Sequence, residues 1–232
     1  MKEITLAVPT RNRFTYACEC VDAVVKDPRI GEVVLSDDCS DDGSYEKLQA
    51  HYRDISKVRI VRNVDRLDCY GNKAAAVRAA SNEWVILFDD DNIIHPRYLD
   101  AIENQFPWEE DTAYLPVFAE PHFDYRAFSG LTITHANVAS YVQKGNFTTA
   151  LNTCNCFVNR EAWLDIWDGS VNPHTADSIF MNYRWLASRR RLFFVSGMEY
   201  FHRVHKDSHY KNNVHKTGSF ARVVESNLAS MR

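Results

Sequence analysis

Four short apolar runs punctuate the first hundred residues, and each gives way to polar residues. "ITLAV" (4–8), "EVVLS" (32–36), "VRIV" (58–61) and "EWVILF" (83–88) are β-branched or aromatic runs of strand length. They show little polar alternation, as expected of strands covered on both faces. Between them, apolar residues fall at helical spacing. Phe14, Cys18, Val21 and Val25 predict a helix over 14–26, residues 44–54 read as a second, and the Ala-rich 71–81 as a third. Pro96 marks the start of a fourth, with Tyr98, Leu99, Ile102 and Phe106 as its stripe. Alternating strand and helix predicts an α/β fold, a mainly parallel sheet flanked by helices.

The pattern loosens after residue 106. Residues 112–119 and 130–142 read as strands or irregular segments, and "CFVN" (156–159) as a short strand leading into a helix over 160–167. A helix over 177–188 carries Ile179, Phe180, Tyr183 and Ala187 on one face, and "RLFFVS" (191–196) is a late strand. The basic stretch 216–232 reads as a short helix that docks on the domain, with a dimer contact or a membrane surface as alternatives. There is no repeat, low-complexity tract or linker, so 1–232 is expected to be one domain with a nucleotide-fold front (1–106), a mixed rear (107–215) and a C-terminal helix.

Composition narrows the function. A net charge of −4 gives no polyanion-binding surface, so no nucleic-acid partner is expected. No apolar run approaches the roughly 20 residues of a membrane span. The chain runs from Met1-Lys2-Glu3 into a strand without a signal-peptide layout, and a cytoplasmic location is expected. The six cysteines include two C-x-C pairs, which fit the C-x2–4-C spacing of structural zinc poorly and read as reduced thiols.

The candidate chemistry lies where the strands end. In an open α/β sheet, ligands bind beyond the carboxyl ends of the strands. Strand one ends in "PTRNR", strand two in Asp37-Asp38, and strand four in Asp89-Asp90-Asp91-Asn92. Three adjacent acids repel one another unless a cation relieves them. Two acid clusters beside Arg11 and Arg13 suit a nucleotide whose phosphates are held through a divalent metal. Other nucleotide signatures are absent: no G-x-G-x-x-G follows strand one, and no G-x-x-x-x-G-K-[ST] occurs. "DDCSDDG" opens like a calcium loop, but its twelfth position is Gln49 rather than the required glutamate.

In this order, "ITLAVPTRNR" (4–13), "EVVLSDDCSDDGS" (32–44), "NVDRLDCYGNKAAAVRAAS" (63–81) and "VILFDDDN" (85–92) resemble the GT-A glycosyltransferases, specifically the large inverting family 2. The likeness continues in "CNCFVNREAWLDI" (154–166), "TADSIFMNYRWLASRRR" (175–191) and "EYFHRVH" (199–205). The resemblance implies a nucleotide-sugar donor, a UDP-sugar first, and a glycan or glycolipid acceptor. It implies Mn²⁺ or Mg²⁺ as the metal. Asp38, with Asp37 next, would accept a hydrogen bond from the base. Thr10 and Arg11 would lie against base or ribose. Asp89, with Asp90, would face the ribose hydroxyls. Asp91 would hold the metal, and His202 or His205 would add a metal or diphosphate contact. Lys73 is either a phosphate or base contact or a solvated helix charge. Asp177 would be the catalytic base, although the family usually shows Glu-Asp where this chain has Ala176-Asp177. The middle segment 120–155 would carry acceptor specificity. The rival readings are a non-catalytic nucleotide-sugar or glycan binder on the same fold and a sugar-nucleotide nucleotidyltransferase. The latter usually has a Gly-rich loop that "PTRNRF" lacks.

Overall fold

The computed structural model describes residues 2–142, 144, 147–153, 155–204 and 209–231, with only the backbone of 209–217. The first half runs β1 (Ile4–Thr10), α1 (Phe14–Asp22), β2 (Ile30–Asp37), α2 (Ser44–Tyr52), β3 (Val58–Arg62), α3 (Asp68–Ala79), β4 (Trp84–Leu87), β5 (Ile93–Ile94) and α4 (Pro96–Glu103). The second half runs β6 (Thr112–Leu115), β7 (Phe118–Glu120), β8 (Phe123–Asp124), β9 (Thr132–Ile133), the one-turn helices α5 (Ala139–Val142) and α6 (Phe147–Ala150), β10 (Cys156–Asn159), α7 (Arg160–Ile166), α8 (Asp177–Ala187), β11 (Arg191–Phe194), β12 (Glu199–Phe201) and α9 (His209–Ala229).

An eight-stranded sheet, ordered β3-β2-β1-β4-β10-β6-β11-β9, spans both halves, and β5-β12-β7-β8 form a second, smaller sheet. Strands β3, β2, β1 and β4 are mutually parallel, and β10 joins β4 antiparallel. The chain moves outward from β1 to β2 and β3, then returns to the other side of β1 for β4. That reversal makes a crevice at the carboxyl ends of β1, β2 and β4.

The strands are apolar throughout because helices cover both sheet faces. On one face Ala7, Val85 and Leu87 pack with Ala74 and Val77 of α3. On the other, Leu6, Val8 and Ile86 pack with Ala17 and Val21 of α1 and Tyr98 and Ile102 of α4. Each such side chain, fully buried, stabilises by about 1.5–3 kcal/mol. The two cores hold the strand ends, and with them the crevice, in fixed register.

Several elements differ from their expected bounds. The helix predicted over 14–26 ends at Asp22. Successive turns from Val21 to Asp27 continue it loosely, and Val24 and Val25 stay buried. Helix α3 begins at Asp68, three residues early. The segment 112–119, read as strand or irregular, is two strands split at Pro116, which lacks a ladder donor, and these join different sheets. The C-terminal helix begins at His209 rather than 216, and Val224 and Leu228 anchor it in the core. Among the described residues, no helix is long and apolar enough to cross a membrane.

Candidate active site

The crevice is a cleft of about 850 Å³, lined by residues 9–16, Asp38, Asp42, Lys47, Arg66, Asp68, Cys69, Asn72, Asp89 and Asp90. Its base-side wall is built by a buried amide network. Asn72 accepts from Ser36 Oγ at 2.7 Å and donates to the Ser36 carbonyl at 2.9 Å, tying α3 to the end of β2. Asn63 Nδ2 bridges Asn72 and Asp38 Oδ1 at 2.9 and 3.0 Å, and the Leu67 N–H donates to the same Asp38 oxygen at 2.8 Å. Asp38 Oδ1 is thereby anchored, while Oδ2 accepts from none of these groups. Gly71 lets α3 start here, because a Cβ at that position would meet Leu67 Cβ at 2.8 Å. Asp37 is fully buried and absent from the cleft wall. It accepts from the Ser40 N–H at 3.0 Å with Arg62 at 3.6 Å, and shapes the turn beneath Asp38.

The three acids after β4 have three different surroundings. Asp89 takes its place through its own N–H, which donates to Asn155 Oδ1 at 2.9 Å; its side chain is 36% exposed. Asp90 turns inward: Thr10 Oγ1 donates to one oxygen at 2.7 Å and Arg13 Nη1 to the other at 2.8 Å. The same Arg13 nitrogen reaches Asp91 Oδ2 at 3.0 Å. Burial pushes the Asp90 carboxyl up to about 7; Arg13 pulls it down, and Asp91 adds to the rise. Arg11 lines the cleft, with Asp41 at 3.5 Å.

Lys73 is not a solvated helix charge. Its side chain is 5% exposed, and Nζ lies 2.6 Å from Asp177 Oδ2 and 3.4 Å from Asp89 Oδ1. Asp177, the first residue of α8, is brought across 104 positions to Lys73 and Cys69, a floor beneath the cleft lining rather than part of it. Cys69 Sγ contacts Asp177 Oδ2 at 3.3 Å, and Oδ1 takes neither of these contacts. A second cavity of about 20 Å³, enough for one water, lies behind, between Lys73, Asp177, Ser178 and Asn182. Burial and then the Asp177 charge push the Cys69 thiol well above its ordinary value. A raised thiol holds little thiolate, the reactive form. Cys69 is therefore expected to resist iodoacetamide at pH 8. Asp177→Asn, which removes the negative neighbour, is expected to speed its alkylation, with burial still holding it slow, read by peptide mass spectrometry.

His202 sits beside the acid loop rather than on it. Its Nδ1 is 3.1 Å from Asn92 Oδ1, and Asn92 directly follows Asp91. His205 lies outside the described residues. Among the described residues, no three His, Cys, Asp or Glu side chains converge as a ready-made metal cage. The oxygen donors Asp89 and Asp91 nonetheless fit Mg²⁺ or Mn²⁺, which take one or two carboxylates and complete their shell with phosphates and water. The structure thus gathers Thr10, Arg11, Asp38, Asp89 and Asp90 on one cleft, with Lys73 and Asp177 behind it, Asp91 held by Arg13, His202 beside Asn92 and Asp37 beneath Asp38. It adds Arg13, Asn72, Cys69 and Asn155. All four sit in motifs visible in the sequence, but their partners are not.

Solved structures similar to this chain share its fold at low identity. The 1–349 segment of S. aureus TarS in complex with UDP-GlcNAc matches at TM-score 0.69 and 16% identity, over 99% of this chain and 67% of that one. Full TarS matches at 0.66 and 16%, over 99% of this chain and 40% of its own. GalNAc-T7 with UDP, GalNAc and Mn²⁺ matches at 0.67 and 15%, over 89% and 44%. The chain therefore spans less than half the length of full TarS and of GalNAc-T7. No curated protein sequence matches. The family model described as "Glycosyl transferase family 2" matches residues 5–165, which include the whole base-side wall, the acid loop and Asn155. With a model covering well over half of its length and a GT-A fold around the cleft, this chain belongs to glycosyl transferase family 2.

Proposed function

We propose that this chain transfers a sugar from a UDP-sugar to a hydroxyl of a glycan or glycolipid acceptor, with inversion at the anomeric carbon and a divalent metal. The observation that carries this reading is the Asp89–Lys73–Asp177 chain of contacts, which puts a buried carboxylate one side chain away from the acid loop. A nucleotide running along the cleft has its base at Asp38, its ribose at Asp89 and its diphosphate at Asp91. Asp38 Oδ2 accepts from the N3–H of uracil, and Thr10 and Arg11 flank the base and ribose. Asp89, set by Asn155, meets the ribose. Asp91 holds the metal, with His202 a further candidate beyond Asn92. When bound, the metal offsets the charge that builds on the departing diphosphate.

At the far end Asp177 acts as general base. It takes the proton of the acceptor hydroxyl as that oxygen bonds to the anomeric carbon. The bond from that carbon to the diphosphate oxygen breaks, and UDP leaves with the electron pair. Lys73 and Cys69 fix Oδ2, which leaves Oδ1 to face the acceptor.

The test is a thermal-shift panel of UDP, TDP, GDP, CDP and ADP, each with Mn²⁺ or EDTA. A ligand that binds the native state raises the melting temperature as ln(1 + [L]/Kd). A shift is expected with UDP and Mn²⁺, lost with EDTA and in Asp91→Ala. No shift with any nucleotide in folded protein would overturn the donor site.

A further inference from the structure

Resting on the transferase reading, we infer that Phe123, rimmed by His122 and His202, is a stacking platform for a pyranose ring of the acceptor. Three observations converge on it. First, Phe123 is an exposed aromatic on a rigid mount. It is 38% exposed and paired in register with Ala119 through the β7–β8 hairpin. Its ring lies parallel to that of Tyr125, at 9° and 6.1 Å. Tyr125 is buried and donates its hydroxyl to the Thr149 carbonyl at 3.2 Å, so the backing ring is itself fixed. Tyr125, Phe128 and Phe147, three aromatics of the segment expected to read the acceptor, are core residues and Tyr141 is half-buried, whereas Phe123 is exposed.

Second, the rim is polar in the way a sugar edge requires. The His202 ring lies 5.1 Å from Phe123 and 5.2 Å from His122. An aromatic plane meets the C–H face of a pyranose, and imidazole nitrogens donate to or accept from its hydroxyls. Third, the platform adjoins the acid loop without belonging to the donor cleft. The His202 N–H donates to the Glu120 carbonyl at 2.7 Å, and its ring is hydrogen-bonded to Asn92, next to Asp91. None of residues 118–125 lines the donor cleft.

Saturation-transfer difference NMR with methyl β-glycosides of glucose, galactose, mannose, N-acetylglucosamine and N-acetylgalactosamine, at millimolar concentration, tests this on the full chain. At least one glycoside is expected to receive saturation in the wild type and in Phe123→Trp. Phe123→Ala is expected to lose about tenfold in affinity, the loss of one ring stack. The UDP–Mn²⁺ thermal shift is expected to be unchanged in both variants. The platform is overturned if no glycoside receives saturation, or if Phe123→Ala retains the signal. In either case a UDP shift still stands for the donor site. A missing UDP shift overturns the transferase reading separately.

Discussion

Asp177→Asn is expected to lower sugar transfer by about 10²–10⁴-fold, the usual contribution of a positioned general base, while UDP and Mn²⁺ bind as before. The prediction rests on separation within the site. Asp177 contacts Lys73 and Cys69 at the floor, whereas the base-side wall is built from Asp38, Asn63 and Asn72. The substitution has a second consequence that must be measured alongside. Lys73 and Asp177 are both more than nine-tenths buried, and removing one charge of a buried pair costs about 3–5 kcal/mol. Asp89 at 3.4 Å still faces the ammonium, so the cost is expected at the low end of that range. Rates are therefore compared well below the variant's melting temperature, with the UDP shift confirming an intact donor site. Activity within tenfold of wild type under those conditions would place the base elsewhere.

The parts of this protein legible from sequence share one property: their signal is local. Strands β1 and β4 are covered on both faces, so their apolar runs stand out without reference to partners. The acid tails were legible because strand ends in an α/β sheet point to one rim. The smaller sheet was not, since its strands are two or three residues long and carry no period. Asp37 and Asp38 are indistinguishable as neighbours in a sequence. Only the folded turn buries one beneath the other. The pairings that give the site its chemistry join residues 77 to 104 positions apart, Arg13 with Asp90 and Lys73 with Asp177. Such contacts follow from topology, which no local pattern encodes. Lys73 shows the consequence: in the sequence it reads equally as a phosphate or base contact or as a solvated charge, and in the fold it is the buried link between Asp89 and Asp177.

Arg13→Ala is expected to destabilise the protein by about 1–3 kcal/mol, a fall of roughly 5 °C in melting temperature for a chain of this size, because the buried Asp90 carboxyl loses its donor and takes up a proton. Three acids crowd the end of β4, and Asp90 is turned into the protein with only Thr10 and Arg13 against its oxygens. Deleting the guanidinium leaves a buried carboxyl beside Asp91 without its cation. Arg13→Lys keeps the charge and is expected to recover part of the loss. The same variant reports on the metal. If Asp91 is a ligand, a divalent cation there takes over some of the screening that Arg13 supplied. Mn²⁺ is then expected to raise the melting temperature of Arg13→Ala more than that of the wild type, and to lose this advantage in Arg13→Ala/Asp91→Asn. A melting temperature within about 2 °C of wild type, less than the shift of a single kcal/mol at this size, would mean that water and not Arg13 neutralises the acid cluster. Equal Mn²⁺ shifts in all three proteins would remove Asp91 from the metal site.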